Sequence, residues 1–315
     1  MTAIELDSFI VHHARFEDVL GESPCLVKVV DTDAHEGPVY VAEEDALYFS
    51  TVPRDRETGS PRVDIKRLAL EGLVFPLGEG RITVLPTRAN AVNGMAVGRD
   101  GRLVACEQGT LYGPARISHI DRKTGAAQTA TDAFDGHPLN SPNDVVVGLD
   151  GAIWFTDPSY GHLQGFRPAP VLAGNVYRYD PVSGETQLVA SGFDKPNGLV
   201  LSPDERVLYV SDNGAPHHLL AFAVDDGANV GRGRVLAVGT PDHPDGLKVD
   251  AKGRIYASAS TGVQVLDPEG GELLGEIVLP GAVNFCFGGP DHNVLFITAD
   301  TAVYAAVLNA KGARP

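Results

Sequence analysis

NDVVVGLDGAIWFTDPSYG, residues 143–161, is followed at 175–184 by NVYRYDPVSG. An amide-bearing residue opens the stretch, an apolar run follows, Asp-Gly turns the chain, and a second apolar run ends in an acid. Short apolar runs across an Asp-Gly turn are the mark of a β-hairpin, and the third run extends the hairpin into a small antiparallel sheet. The pattern recurs along the chain. NGLVLSPDERVLYVSDNG starts at Asn197, DGLKVDAKGRIYASASTG at Asp245 and NGMAVGRDGRLVACEQG at Asn93, while EGPVYVAEEDALYFSTVP starts at Glu36 and NFCFGGPDHNVLFITAD at Asn284. The six anchors, Glu36, Asn93, Asn143, Asn197, Asp245 and Asn284, are separated by 57, 50, 54, 48 and 39 residues. Four-stranded propeller blades take about 40–50 residues, so insertions lengthen some of the units.

Six similar sheets laid in a row would leave bare edges, and radial closure removes them. The expectation is therefore an all-β chain forming a single six-bladed β-propeller over residues 1–315, with a metal-binding central channel. A β-sandwich does not repeat in four-strand units and solenoid coils are shorter. Either FIVHH (9–13) or LVKVV (26–30) is expected to pair with the last blade and close the ring. Residues 51–62 read as a polar loop, and 159–174 as a loop inserted in the third blade.

Composition agrees. Glycine (36) and proline (22) are abundant in the 315 residues, which favours turns over long helices. The formal charge of -16 argues against nucleic acid and anionic membranes as partners and leaves carboxylates to hold a cation. Cys25, Cys106 and Cys286 are far apart and form no CxxC, so they read as reduced, apolar thiols. The N-terminal residues lack a basic start followed by an apolar block, and no apolar run reaches the ~20 residues of a membrane span. A cytoplasmic protein is expected. GxSxG, HExxH and GxxxxGK[ST] are all missing from the sequence.

In a propeller the innermost strand of each blade lines the axis, so equivalent positions at the start of those strands converge. The anchors comprise two carboxylates, four carboxamides and no thiolate. Such hard oxygen donors suit Ca²⁺ or Mg²⁺, and a large irregular cage favours Ca²⁺, with Mn²⁺, Zn²⁺ and Fe²⁺ as other divalent candidates. Any one Asn could serve only as a turn former. SPND (141–144), KPNG (195–198) and HPDG (243–246), however, place Pro and a short oxygen donor at one register in consecutive units, which turn propensity does not require.

HEGPVY (35–40), SPNDVVVGLDGAIWFTDPSYG, KPNGLVLSPDERVLYVSDN and HPDGLKVDAKGRIYAS together resemble the senescence marker protein-30 / gluconolactonase / luciferin-regenerating enzyme family, and FTDPSYG most resembles its bacterial gluconolactonase branch. The likeness runs from about Glu36 to about Thr298. It implies a six-bladed propeller with one central divalent cation, ligated by Glu36, Asn143, Asn197 and Asp245, and a hydrolase that opens a small-molecule lactone, a sugar aldonolactone of carbohydrate metabolism. Asp245 is then the catalytic carboxylate, as general base or nucleophile. Asn93, Glu107, Asp144, Tyr160 and His35 are the candidate substrate-side residues. Where the branch often carries Glu-His-Gly, this chain has Glu107-Gln108-Gly109, which weakens that contact. His162, His217 and His218 lie on loops near the expected channel mouth, and Asp157 and Asp212 are expected to hold turns or neighbouring blades. Aryl-ester or organophosphate hydrolysis on the same metal site, or a ligand-binding propeller without turnover, are the competing functions.

Overall fold

The structure is a computed structural model that describes residues 8–54, 60–70, 75–87, 89–215, 217–225, 229–240 and 242–313. Residues 55–59 of the expected polar loop therefore lie outside the described residues.

The hairpins form where the turn chemistry demands them. Gly101, Gly151 and Gly253 take left-handed φ values of 78°, 86° and 81° between the first and second strands of their sheets. The preceding carboxylates close two of these turns, Asp100 Oδ1 accepting from Arg102 N at 3.0 Å and Asp150 Oδ1 from Ala152 N at 2.9 Å. In the fourth unit Glu205 takes the left-handed position at φ 56° without a glycine.

Each unit forms the body of an antiparallel blade of four or five strands. From the axis outward, blade three is Val145–Val147, Ile153–Asp157, Asn175–Asp180 and Glu185–Ala190. The inner strands of the other blades are Ala34–Val41, Val92–Val97, Pro196–Leu201, Leu247–Val249 and Asn284–Gly288. Packing is between blades. One apolar cluster joins Val39 and Tyr48 of blade one to Met95 and Leu103 of blade two, and another joins Cys106 and Ile117 to Phe155 and Tyr177 of blade three. Trp154 and Val176 meet Leu208 and Phe222, Tyr209 and Leu219 meet Ile255 and Leu266, and the series continues through blade six to Leu47 and Phe49 of blade one. Each blade buries both faces, so its strands read as nearly unbroken apolar runs rather than a strict alternation.

LVKVV closes the ring. The strand Cys25–Asp31 pairs with Ala302–Val307 as the outer strand of blade six. FIVHH goes elsewhere: Phe9–Val11 pairs with Leu273–Val278 and covers the outer edge of blade five, which gives that blade a fifth strand. The chain between them drops Phe16 and Val19, both fully buried, into the cluster shared by blades five and six. The three cysteines are unpaired, Cys106 and Cys286 buried and Cys25 partly so. No helix among the described residues is long and apolar enough to cross a membrane.

Removal of residues 1–31 leaves blade six with three strands and an open edge. The truncated protein should lose its cooperative thermal transition and elute as aggregate, which circular dichroism and size-exclusion chromatography would show.

Candidate metal and substrate site

The inner strands all run in the same direction along the axis, so their N-terminal anchors gather at one end. Two devices set their positions.

The first is a series of hydroxyls at or one register in from the end of the second strands. Ser50 donates to the carbonyls of Glu36 and Asn93, both at 3.1 Å, and Thr156 donates to Asn197 O at 2.7 Å. Ser211 donates to Asp245 O at 3.1 Å, and Thr298 donates to His35 O at 2.6 Å. Apart from the Ser50 bond to Glu36 within blade one, each ties one blade to the backbone of the next blade's anchor turn. Blade two carries Cys106 at this place, and there the backbone takes over, with Gly94 N donating to Asn143 O at 2.8 Å.

The second device is an acid at the following residue in three consecutive blades. Asp157 is fully buried and accepts from Asn140 N at 2.8 Å and Ser141 N at 2.7 Å, which holds the turn that delivers Asn143. Asp212 does the same for the next blade, accepting from Asp194 N at 2.9 Å and Lys195 N at 2.7 Å ahead of Asn197. Glu107 is the third member. It is fully buried, accepting from Asn90 N at 2.7 Å and pairing with Arg116 at 2.9 Å, so in this structure it braces the turn before Asn93. Burial pushes the Asp157 carboxyl up to about 7 against the pull of its two backbone donors.

Close approach of the strands needs residues without a side chain. A Cβ on Gly94 would stand 2.5 Å from Asn143 O, and one on Gly198 would collide with the Asp245 carbonyl. Blade three has Asp144 at this register. It is buried, and its carboxylate accepts from Val145 N at 2.9 Å and Leu199 N at 3.4 Å, so it bridges to blade four through backbone rather than by orienting an Asn amide. Burial raises its carboxyl to about 6.

Around the axis the anchors meet. Glu36 is buried, and its Oε2 accepts from Asn284 Nδ2 at 2.7 Å. Desolvation, with the nearby charges of Glu36 and Asp144, pushes the Asp245 carboxyl well above the usual carboxylate range. Asn197 Nδ2 donates to Tyr160 Oη at 3.3 Å, which brings the blade-three loop over the pocket. Asn143 is buried at the same end. His35 turns to Asp300 at 2.7 Å. Despite desolvation, that carboxylate and Glu36 raise the imidazole's pKa. His217 stacks on His243 with ring centroids 4.4 Å apart. His218 begins the third strand of blade four.

The donor set fits a divalent cation. Two carboxyls this near one another cannot both stay charged without either a shared proton or a cation between them. The Oδ1 atoms of Asn93 and Asn197 are buried without a hydrogen-bond partner, and an orphaned buried acceptor costs about 1–3 kcal/mol that a ligated ion relieves. The set is carboxylate and carboxamide. Among the described residues, no group of three or more His, Cys, Asp or Glu side chains is gathered for a metal, so a cation held here would have to draw on the Asn oxygens.

The match to known proteins follows the same residues. Positions 34–301 match the family described as SMP-30/Gluconolactonase/LRE-like region. The chain belongs to this family. A gluconolactonase from Zymomonas mobilis is 33% identical over 304 residues, 90% of this chain and 82% of that protein. The solved structure of a gluconolactonase from Xanthomonas campestris superimposes with a TM-score of 0.80 at 34% identity, covering 97% of this chain and 96% of that one. A calcium-binding regucalcin from Agrobacterium tumefaciens shares the fold, with a TM-score of 0.66 at 19% identity over 90% of this chain and 92% of its own.

Sequence reasoning missed Arg167, which pins the inserted family loop. Its guanidinium donates to the carbonyls of Asn140 and Leu139 at 3.0 Å, Thr110 at 3.1 Å and Gly113 at 3.2 Å, while Ser141 Oγ accepts from Gly161 N at 2.8 Å. An arginine in a Gly/Pro-rich loop carries no periodic signal. The hydroxyls Ser50, Thr156, Ser211, Ser258 and Thr298 stand at or next to the ends of their second strands, but for Ser50, Thr156, Ser211 and Thr298 a partner lies in the next blade.

Two outcomes test this electrostatic arrangement. Asp144 and Asp157 are raised from an ordinary 3.8, so the stability they contribute is complete below that value and is lost as pH rises through about 6 and about 7. Thermal melts of metal-free protein should therefore show a higher midpoint at about pH 5 than at about pH 8. Asp157→Asn puts a donor against a backbone N–H and should cost about 1–3 kcal/mol in chemical denaturation.

Proposed function

We propose that this protein is a metal-dependent lactonase that opens a small sugar lactone to its acid. The observation that carries the reading is the gathering at one end of the axis of the Glu36 and Asp245 carboxyls, near enough for Glu36 to raise the Asp245 carboxyl, with carboxamide oxygens of which two lack partners. Likeness to gluconolactonases from two bacteria supplies the substrate class.

Glu36, Asn143, Asn197 and Asp245 would hold the cation, with Asn93 and Asn284 beside them. Ca²⁺ suits the all-oxygen set best. A bound divalent cation supplies Lewis acidity to the ester carbonyl and stabilises negative charge on its oxygen. The protein's own part is proton handling and placement. The Asp245 carboxylate would accept the proton of the attacking water as general base. As the acyl–oxygen bond breaks, the same proton passes to the departing ring oxygen, so the products are a carboxylic acid and a hydroxyl on one chain. Asn284 orients Glu36 through its 2.7 Å bond, and Tyr160 orients the Asn197 amide so that its oxygen faces inward. The pinned loop carrying Tyr160 roofs the pocket and limits entry to small rings.

The test is a pH-indicator assay over aldonolactones, aryl esters and phosphotriesters, on metal-stripped protein with single ions added back. Aldonolactones should be the best substrates, and Ca²⁺ should restore turnover. Asp245→Asn should lower kcat by about 10²–10⁴-fold with the melting profile of the metal-free protein retained. Near-normal hydrolysis by that variant, or by chelated enzyme, would overturn the proposal.

A further inference from the structure

The loop between Ile153–Asp157 and Asn175–Asp180 lies at the anchors' end of the axis and is tied down along its length. Near its start Gly161 N donates to Ser141 Oγ at 2.8 Å. At its far end Asn140 Nδ2 donates to the carbonyls of Leu172 at 3.1 Å and Ala173 at 3.3 Å. In the middle Phe166 is buried, and the amides of Phe166 and Arg167 both donate to Gly161 O, at 2.9 and 3.0 Å. A lid that closes over substrate is drawn from weakly held segments with few buried contacts and exposed backbone bonds. This loop has the opposite character.

Arg167 is the joint. Its Nε and Nη2 donate to Asn140 O and Leu139 O, both at 3.0 Å, just ahead of the Asn143 anchor. Its Nη1 donates to Thr110 O at 3.1 Å and Gly113 O at 3.2 Å, in the turn that follows the second strand of blade two. The stem lies against Gly161, where an added Cβ would come within 2.3 Å of Arg167 Cγ. One planar fork thus holds two blades and the loop together. A lysine offers three donors from a single point and cannot reach carbonyls on both sides. Beside Gly161 stands Tyr160, whose Oη accepts from Asn197 Nδ2 at 3.3 Å, and Asn197 Oδ1 is left buried without a partner. The placement of Arg167 therefore passes through Gly161 and Tyr160 to the direction in which the Asn197 oxygen points.

We propose that the roof is assembled before substrate arrives, as a fixed aperture, and that Arg167 is the residue that sets which lactones pass it. Arg167 is a positioning residue, acting through the loop backbone and Tyr160 rather than on the reacting atoms. A fixed aperture rejects a lactone by steric exclusion, so a bulky substituent is penalised only while the loop holds its place. This inference rests on the lactonase reading above.

Two measurements on the full-length protein test it. Hydrogen exchange on metal-free protein should show the amides of residues 161, 166 and 167 protected without any ligand. Arg167→Met and Arg167→Lys should speed that exchange by about tenfold while the amides of the blade strands keep their rates. In steady-state kinetics with metal restored, wild type should prefer an aldonolactone over the same lactone carrying a second sugar on one hydroxyl. Both variants should lower that ratio of kcat/KM by about tenfold, chiefly through a smaller KM for the larger substrate. A residue needed only for stability would lower the melting midpoint and leave the ratio alone. Roof amides that exchange in wild type as fast as in an unstructured peptide, or that gain protection only when the aldonic acid product is added, overturn the fixed aperture. Ratios within about twofold of wild type in both variants, or Arg167→Lys matching wild type in both measurements, overturn the role of Arg167. If Arg167→Met does not fold, Arg167→Lys decides alone. Wild type that hydrolyses no lactone overturns the lactonase reading and the selectivity role with it, whereas active variants with an unmoved ratio sink this inference alone.

Discussion

The first blade meets the last across the hydrogen bond from Asn284 to Glu36, 2.7 Å long and spanning 248 residues of chain. The rest of the site depends on this juncture. Glu36 reaches Asp245 only if the ring is closed, and closure depends on the strand Cys25–Asp31 leaving the N-terminus to complete blade six. Loop-closure entropy for such a separation is paid once, by the apolar contacts between blades rather than by the polar site itself. The site can therefore hold groups that destabilise one another, because the cost is spread over a continuous ring of packed sheets.

That arrangement explains why the anchor turns are so heavily braced. A carboxylate under Asn143, another under Asn197 and a third under the segment before Asn93 each hold backbone N–H groups, and hydroxyls reach across to the next blade's carbonyls. These bonds fix the main chain, so the anchor side chains start from fixed Cα positions. Oxygen donors for a hard cation gain from this rigidity, since mispositioned Asn carbonyls would find water instead.

The electrostatic design follows from the same geometry. Acids accumulate where six equivalent strand starts converge, and a propeller has no choice in that convergence. Burial raises Asp144 and Asp157, and mutual repulsion adds to the shift at Asp245.

The blade count and the anchors were legible in the sequence because hairpins are local: Asp-Gly turns and short apolar runs are set by neighbouring residues. The register of SPND, KPNG and HPDG likewise placed Asn143, Asn197 and Asp245 at equivalent points before any coordinates. Long-range pairing was not legible in that way. FIVHH and LVKVV are both short apolar strands, and only packing decided that the second closes the ring while the first covers blade five. Glu107 looked like a pocket residue because it ends a strand beside the channel; Arg116 and Asn90 N, brought to it by the fold, turn it inward to the backbone. Amino-acid order thus determined the repeat and the donors available at each blade. Tertiary structure decided which donors meet and which are used up on backbone, because a side chain's partner depends on distances that closure of the ring alone creates.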